Sequence, residues 1–180
     1  IAAVGFDTYA RLLQESVAEM KGEPLPEEKE IRIDLPVRAF VPPGWLEQEA
    51  LRLDLYRRIS SAGDHEVLER VRAETVDRFG QLPVEVETLF AVASLRITCT
   101  RLGVAEVSTY RQQVRLKPLE LPEALELDLA ERVPGARYLR TTATLNLDIG
   151  RVPGAELPGL VERGMVRAMG EDEVVATMPS

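Results

Sequence analysis

One stretch groups charged side chains in a way that could serve recognition: Arg70-Val71-Arg72-Ala73-Glu74-Thr75-Val76-Asp77-Arg78-Phe79-Gly80-Gln81-Leu82-Pro83. On a helix turning about 100° per residue, Arg70, Glu74, Asp77 and Arg78 fall within an arc of roughly 100° that flanks an apolar stripe. Arg70 to Glu74 and Glu74 to Arg78 are i,i+4 pairs, so each is expected to hold the next extended. Asp77 differs, because Gly80 and Gln81 stand where a compensating cation would be. Two readings of this arc remain open. It is a solvated helix face whose exposed pairs contribute only a few tenths of a kcal/mol each. Or it is a charged docking edge that meets arginines or acids on another domain.

Other reactive residue types are scarce. His65 is the single histidine, which excludes a multi-histidine metal site; beside Asp64 at a helix start it is expected to face solvent. Cys99 is the single cysteine, so the chain holds no internal disulfide framework and no thiolate zinc site. Between Thr98 and Thr100 on an expected helix, it reads as a small buried residue rather than a reactive thiol. Trp45, after Pro42-Pro43-Gly44, is expected to fold that segment onto the body. No phosphate-binding Gly-x-x-x-x-Gly-Lys-Ser/Thr loop, Gly-x-Gly-x-x-Gly turn or Gly-x-Ser-x-Gly elbow occurs. Carboxylate pairs are common, but 30 acidic residues make chance pairs inevitable. The chain reads as non-catalytic.

The elements that must position these residues follow from periodicity. Phe6 to Lys21 carries a helical pattern, and Glu23 to Glu30 reads as a proline-rich, charged, extended linker. Ile31, Ile33 and Leu35 alternate with polar residues as in a half-buried strand. A helix is expected from Leu46 to Gly63, a second from the N-cap Asp64 to Gly80, and a third from Pro83 to Leu102-Gly103. With short joints, the three should pack as a bundle. Beyond Gly103, two short strands around Tyr110-Arg111-Gln112, a helix over Leu121–Val133, and strands over Tyr138–Arg140 and Thr142–Ile149 suggest a small sheet. Pro153 to Met169 reads as a last helix weakened by Gly154, Gly159 and Gly164, with a frayed tail from Met165. The expected fold class is α+β, a helical bundle beside a small mixed or antiparallel sheet. The expected divisions are a connecting helix at 1–22, a linker and first strand at 23–45, and a main domain at 46–180.

Composition bounds the function. With 180 residues, 45% of them hydrophobic, the chain can build a real core. Its net charge of −8 argues against a main role in neutralising nucleic-acid phosphates. Over residues 36–103, ten acids stand against nine bases, so the acidity sits at the two ends. Nineteen of the 22 basic residues are arginine, which suits carboxylate pairing and equally fits codon bias. No run of about 18 apolar residues is present, so no membrane span is expected. The chain starts Ile1-Ala2-Ala3-Val4, without methionine or a signal-peptide pattern, and is expected to be a cytoplasmic piece of something longer.

Several runs resemble one known family in order and spacing. Val4-Gly5-Phe6-Asp7-Thr8-Tyr9-Ala10-Arg11-Leu12-Leu13, then Glu19-Met20-Lys21-Gly22, then Arg52-Leu53-Asp54-Leu55-Tyr56-Arg57-Arg58-Ile59 resemble the C-terminal region of bacterial transcription-repair coupling factors. The most specific match is Glu74-Thr75-Val76-Asp77-Arg78-Phe79-Gly80-Gln81-Leu82-Pro83, followed by Leu95-Arg96 and Leu102-Gly103-Val104. The resemblance covers residues 4 to 104 and fades beyond them.

That resemblance implies an ATP-driven double-stranded DNA translocase that displaces stalled RNA polymerase and recruits the excision-repair protein UvrA. ATP and magnesium would bind motor lobes upstream of this fragment, so the fragment itself is expected to take no cofactor or metal. The C-terminal domain would be regulatory and autoinhibitory. It would pack on an N-terminal module resembling UvrB, mask the UvrA-binding surface and restrain the motor. The carried-over docking positions are Glu74, Asp77 and Arg78, with Thr75 and Val76 replacing the family's more usual aliphatic residues. Direct nucleic-acid contact is not expected. A DNA-binding element of the same translocase and a small carboxylate-pair enzyme are the competing readings.

Overall fold

The computed structural model describes residues 31–171. The connecting helix expected over residues 6–21, the linker over residues 23–30 and the end of the tail from residue 172 lie outside the described residues.

Strand β1 (Arg32–Asp34) opens the described chain. Helices α1 (Glu49–Ser60), α2 (His65–Phe79) and α3 (Val84–Leu102) follow. Strands β2 (Glu106–Tyr110) and β3 (Gln113–Lys117) form a hairpin. Short helices α4 (Glu123–Leu127) and α5 (Leu129–Arg132) lead into strands β4 (Arg137–Leu139) and β5 (Thr144–Asp148). Helix α6 (Leu157–Ala168) closes the fold. The strands make one five-stranded sheet in the order β1-β2-β3-β5-β4. β1 runs parallel to β2 and every other pairing is antiparallel. The molecule is thus α+β, with a mixed sheet.

Helix α3 is the central element. Val86, Leu89, Phe90, Ala93, Leu95 and Cys99 are buried on several of its sides, because α1, α2 and α6 all pack against it. α6 bridges the two layers, touching α3 and β5. The helix-facing side of the sheet contributes Ile33, Val107, Val114, Leu116, Leu145 and Leu147 to the same core, as alternation along each strand requires. Leu35, Val37, Ala39 and Val41, ahead of residue 46, are buried in that core as well.

The helix starts follow the sequence signals closely at α2, where the Asp64 carboxylate accepts a 2.8 Å hydrogen bond from the Val67 N–H. Elsewhere the structure corrects the expectations. α1 begins at Glu49 rather than Leu46, since Trp45 and Leu46 turn back to bond the Pro42 carbonyl. The helix expected over Leu121–Val133 breaks in two at Asp128. A single-turn 3-10 segment at Arg140–Thr142, followed by Ala143 in the left-handed region (φ 44°), shortens the strand expected over Thr142–Ile149. The expected fraying from Met165 does not occur, because Met165 and Ala168 are buried and α6 is helical to Ala168.

Candidate docking surface

The phase of α2 is set by its cap and its buried stripe. Leu68, Val71 and Thr75 face the core, and the Thr75 hydroxyl donates to the Val71 carbonyl at 2.6 Å. That hydroxyl is satisfied one turn back on its own helix, so a buried threonine costs little here. The rotation puts Glu74, Asp77 and Arg78 on the solvent side, and all three are exposed.

The expected ladder Arg70–Glu74–Arg78 is not formed. Arg70 turns back to Glu66 at 3.0 Å. Glu74 is held by Arg58, which reaches across from α1. Arg78 lays its guanidinium over the neighbouring Phe79 ring, 5.1 Å from the centroid. The physical reason is competition: an arginine from a packed neighbouring helix and an adjacent aromatic face are both as accessible as an i,i+4 partner on the same helix. Asp77 stands as its sequence context suggests, with no hydrogen bond or ion pair to any described residue.

An aromatic pair supports the C-terminal end of this edge. Trp45 meets Phe79 edge to face, with centroids 5.9 Å apart and planes at 71°. Both rings are half-buried against the core. Trp45 therefore does anchor the proline-rich segment, and it anchors it onto the tip of α2. Behind the edge, Arg72 of α2 grips Glu87 of α3 through Nε at 3.1 Å and Nη2 at 2.8 Å. Hydrogen bonding to Glu87 is the leading cause of the raised Arg72 pKa. The edge thus rests on a helix fixed on both sides, by Arg58–Glu74 to α1 and by Arg72–Glu87 to α3.

His65 does not simply face solvent. Its Nε2 lies 3.1 Å from the Thr98 hydroxyl and its Nδ1 3.2 Å from that of Ser94. Both hydroxyls donate to the Glu162 carboxylate, Thr98 at 2.6 Å and Ser94 at 2.9 Å. Sequence reasoning missed this cluster because its members come from α2, α3 and α6. The one local signal was Ser94 and Thr98, four residues apart on the same helix. Cys99 is buried, and burial, helped by the nearby Glu162 charge, pushes its thiol up to about 12. Among the described residues, no group of three or more His, Cys, Asp and Glu side chains is placed to hold a metal ion. Nor is any described helix long and apolar enough to cross a membrane.

Comparison with known proteins bears on this surface. The family model described as the TRCF domain matches residues 35–124, which begin just after β1 and include α1 to α3, the β2–β3 hairpin and the Glu74–Arg78 edge. The transcription-repair-coupling factor of Mycobacterium tuberculosis is 36% identical over 183 residues, covering 95% of this chain and 15% of that protein. The Myxococcus xanthus transcription-repair-coupling factor is 41% identical over 118 residues, covering 64% of this chain and 10% of that protein. This chain therefore spans about 15% of the length of its Mycobacterium relatives. The crystal structure of the C-terminal domain of transcription-repair coupling factor superposes with a TM-score of 0.67 at 16% identity, covering 80% of this chain and 94% of that one. With half of its length matched by the family model, the chain belongs to the TRCF domain family of transcription-repair coupling factors.

Proposed function

We propose that this chain is the non-catalytic regulatory domain of an ATP-driven DNA translocase that displaces stalled RNA polymerase and recruits excision repair. In the resting protein it docks through Glu74, Asp77 and Arg78 onto the N-terminal UvrB-like module and masks the surface that binds UvrA. ATP and magnesium bind the motor lobes outside this chain. The observation that carries the reading is Asp77: an exposed carboxylate without a partner among the described residues, beside two further exposed charges on a rigidly held helix.

The chemistry suits a latch. Carboxylates accept the paired N–H groups of arginine, so Glu74 and Asp77 fit arginines on the docking module. Polar contacts of this kind release readily, because water replaces the partner at little cost, whereas a large apolar seam would hold too tightly. Arg78 already lies on Phe79, so it presents a cation at a defined place without ordering a free side chain. Its N–H rim is then available to a carboxylate of the docking module.

The test uses the full-length protein that contains this chain. Reversing Glu74 and Asp77 to lysine should raise UvrA binding and basal ATP hydrolysis together. Wild-type values for both, in a protein whose fold is intact, would refute the latch.

A further inference from the structure

The face of the sheet turned away from α6 carries a second charged surface, in a different layer of the molecule from α2. Strand alternation places Tyr110, Gln113, Arg115, Asn146 and Arg137 on that face, and the register sets Arg115 opposite Asn146 and Asn146 opposite Arg137. Arg115 and Arg111 both lie over the exposed Tyr110 ring, with guanidinium carbons 4.3 Å and 5.4 Å from its centroid. Arg111 holds this place from the hairpin turn at φ 56°, in the left-handed region that glycine and asparagine favour. Among the described residues, none of Arg111, Arg115 and Arg137 has a carboxylate partner. Arg58, Arg70, Arg72, Arg101 and Arg140 elsewhere are ion-paired, whereas these three stand on one side of the sheet without an acid partner. In a chain of net charge −8, a group of arginines left without acids is a surface waiting for an anion.

We propose that this face is a docking site for an extended acidic peptide segment of a partner protein. Three observations select a peptide over a nucleic-acid strand. The Tyr110 ring already carries two guanidiniums, so it is a poor platform for a stacking base. Asp34, Glu106 and Asp148 lie on the same face, and a strand with a charge at every phosphate would have to run past them. A peptide places its carboxylates only where the arginines are. Arg115 and Arg137 are two strand positions apart, about 10 Å. That separation matches acidic residues three apart in a peptide extended as polyproline II, which turns once every three residues at about 3.1 Å per residue and so sets them on one side. Gln113, on the next rung of β3 beside Arg115, is partly exposed, and its amide can pair with the peptide's backbone.

Fluorescence anisotropy of the whole 180-residue chain at low salt tests this, with a labelled Glu-Gly-Ser-Glu-Gly-Ser-Glu peptide, its Gln-for-Glu counterpart and a twelve-residue oligo-dT as probes. The acidic peptide should bind at least tenfold more tightly than the other two. Arg115→Glu combined with Arg137→Glu should weaken it at least tenfold, while Arg57→Glu, an exposed arginine on α1, should leave it within twofold. Arg115→Gln with Arg137→Gln repeats the test should the reversal disturb folding, which circular dichroism monitors. Failure of the acidic peptide to bind, equal binding of the glutamine peptide, oligo-dT binding as tight as the peptide's, or insensitivity to both double variants would each overturn the proposal.

Discussion

Asp77 and Glu74 sit on one edge of α2, yet the molecule holds them differently. Glu74 is tied to Arg58 across the helix interface, whereas Asp77 meets no described partner. Asp77→Lys should therefore leave stability within ~0.5 kcal/mol of wild type, as for surface sites without special contacts. Glu74→Lys breaks an exposed pair and sets two cations together, and should cost up to about 1 kcal/mol. Urea denaturation checks both, and it makes Asp77→Lys the cleaner probe of the latch. A comparable loss in the two variants would mean that Asp77 has a structural partner. Cys99 sits at the other extreme. With its thiol pushed up to about 12 by burial, it should resist alkylation at pH 8 until the protein unfolds. Labelling in the native state at the rate of a free thiol would show that the α3 core opens on its own.

At the scale of elements, α6 shows how glycine can serve packing within a helix. A Cβ on Gly164 would lie 2.8 Å from Leu147 Cδ1, inside the core between α6 and β5. Gly164→Ala gains about 1 kcal/mol of helix propensity but overpacks a fixed leucine at a cost of roughly 1–3 kcal/mol. The expected net is destabilisation. At Gly159 the same substitution meets only Arg163 Nη1, at 3.1 Å, the far end of a flexible chain, and should be neutral or stabilising. A thermal melt of the two variants separates these cases. The contrast also explains what could be read beforehand. α2 and α3 were legible because Asp64, Gly80, Pro83 and Gly103 are local punctuation whose physics acts within a turn. The exposure of Glu74, Asp77 and Arg78 was legible because Leu68, Val71 and Thr75 set the helix phase. The glycines of α6 misled, since propensity counts their cost and cannot see Leu147 pressing from another strand. Arg58 and Phe79 took the places of the expected i,i+4 partners for the same reason: the competition is tertiary.

Across the whole molecule, the bundle and the sheet are joined chiefly through α6, and a polar cluster clasps that helix to the others. Glu162 of α6 accepts hydrogen bonds from Ser94 and Thr98 of α3, while His65 from the start of α2 lies against both hydroxyls. The Glu162 side chain is only 18% exposed, so water replaces its oxygens poorly if they are removed. Glu162→Ala would leave two hydroxyls without their acceptor, at a cost of about 1–3 kcal/mol. Glu162→Gln keeps one acceptor oxygen and should recover part of that loss. His65→Ala should cost less than Glu162→Ala, since His65 is half exposed and water can take its place beside the hydroxyls. Denaturation at one fixed pH ranks the three variants. Amide hydrogen exchange then asks where the loss falls: a clasp predicts that Glu162→Ala speeds exchange in α6 more than in α1, which does not contribute to the cluster. Uniform acceleration across α1, α3 and α6 would mean that the cluster supports global stability without joining the layers. A loss below ~0.5 kcal/mol for Glu162→Ala would reduce it to a solvated surface network, and the joining of the two layers would then rest on the apolar seam of Val161, Met165 and Leu147.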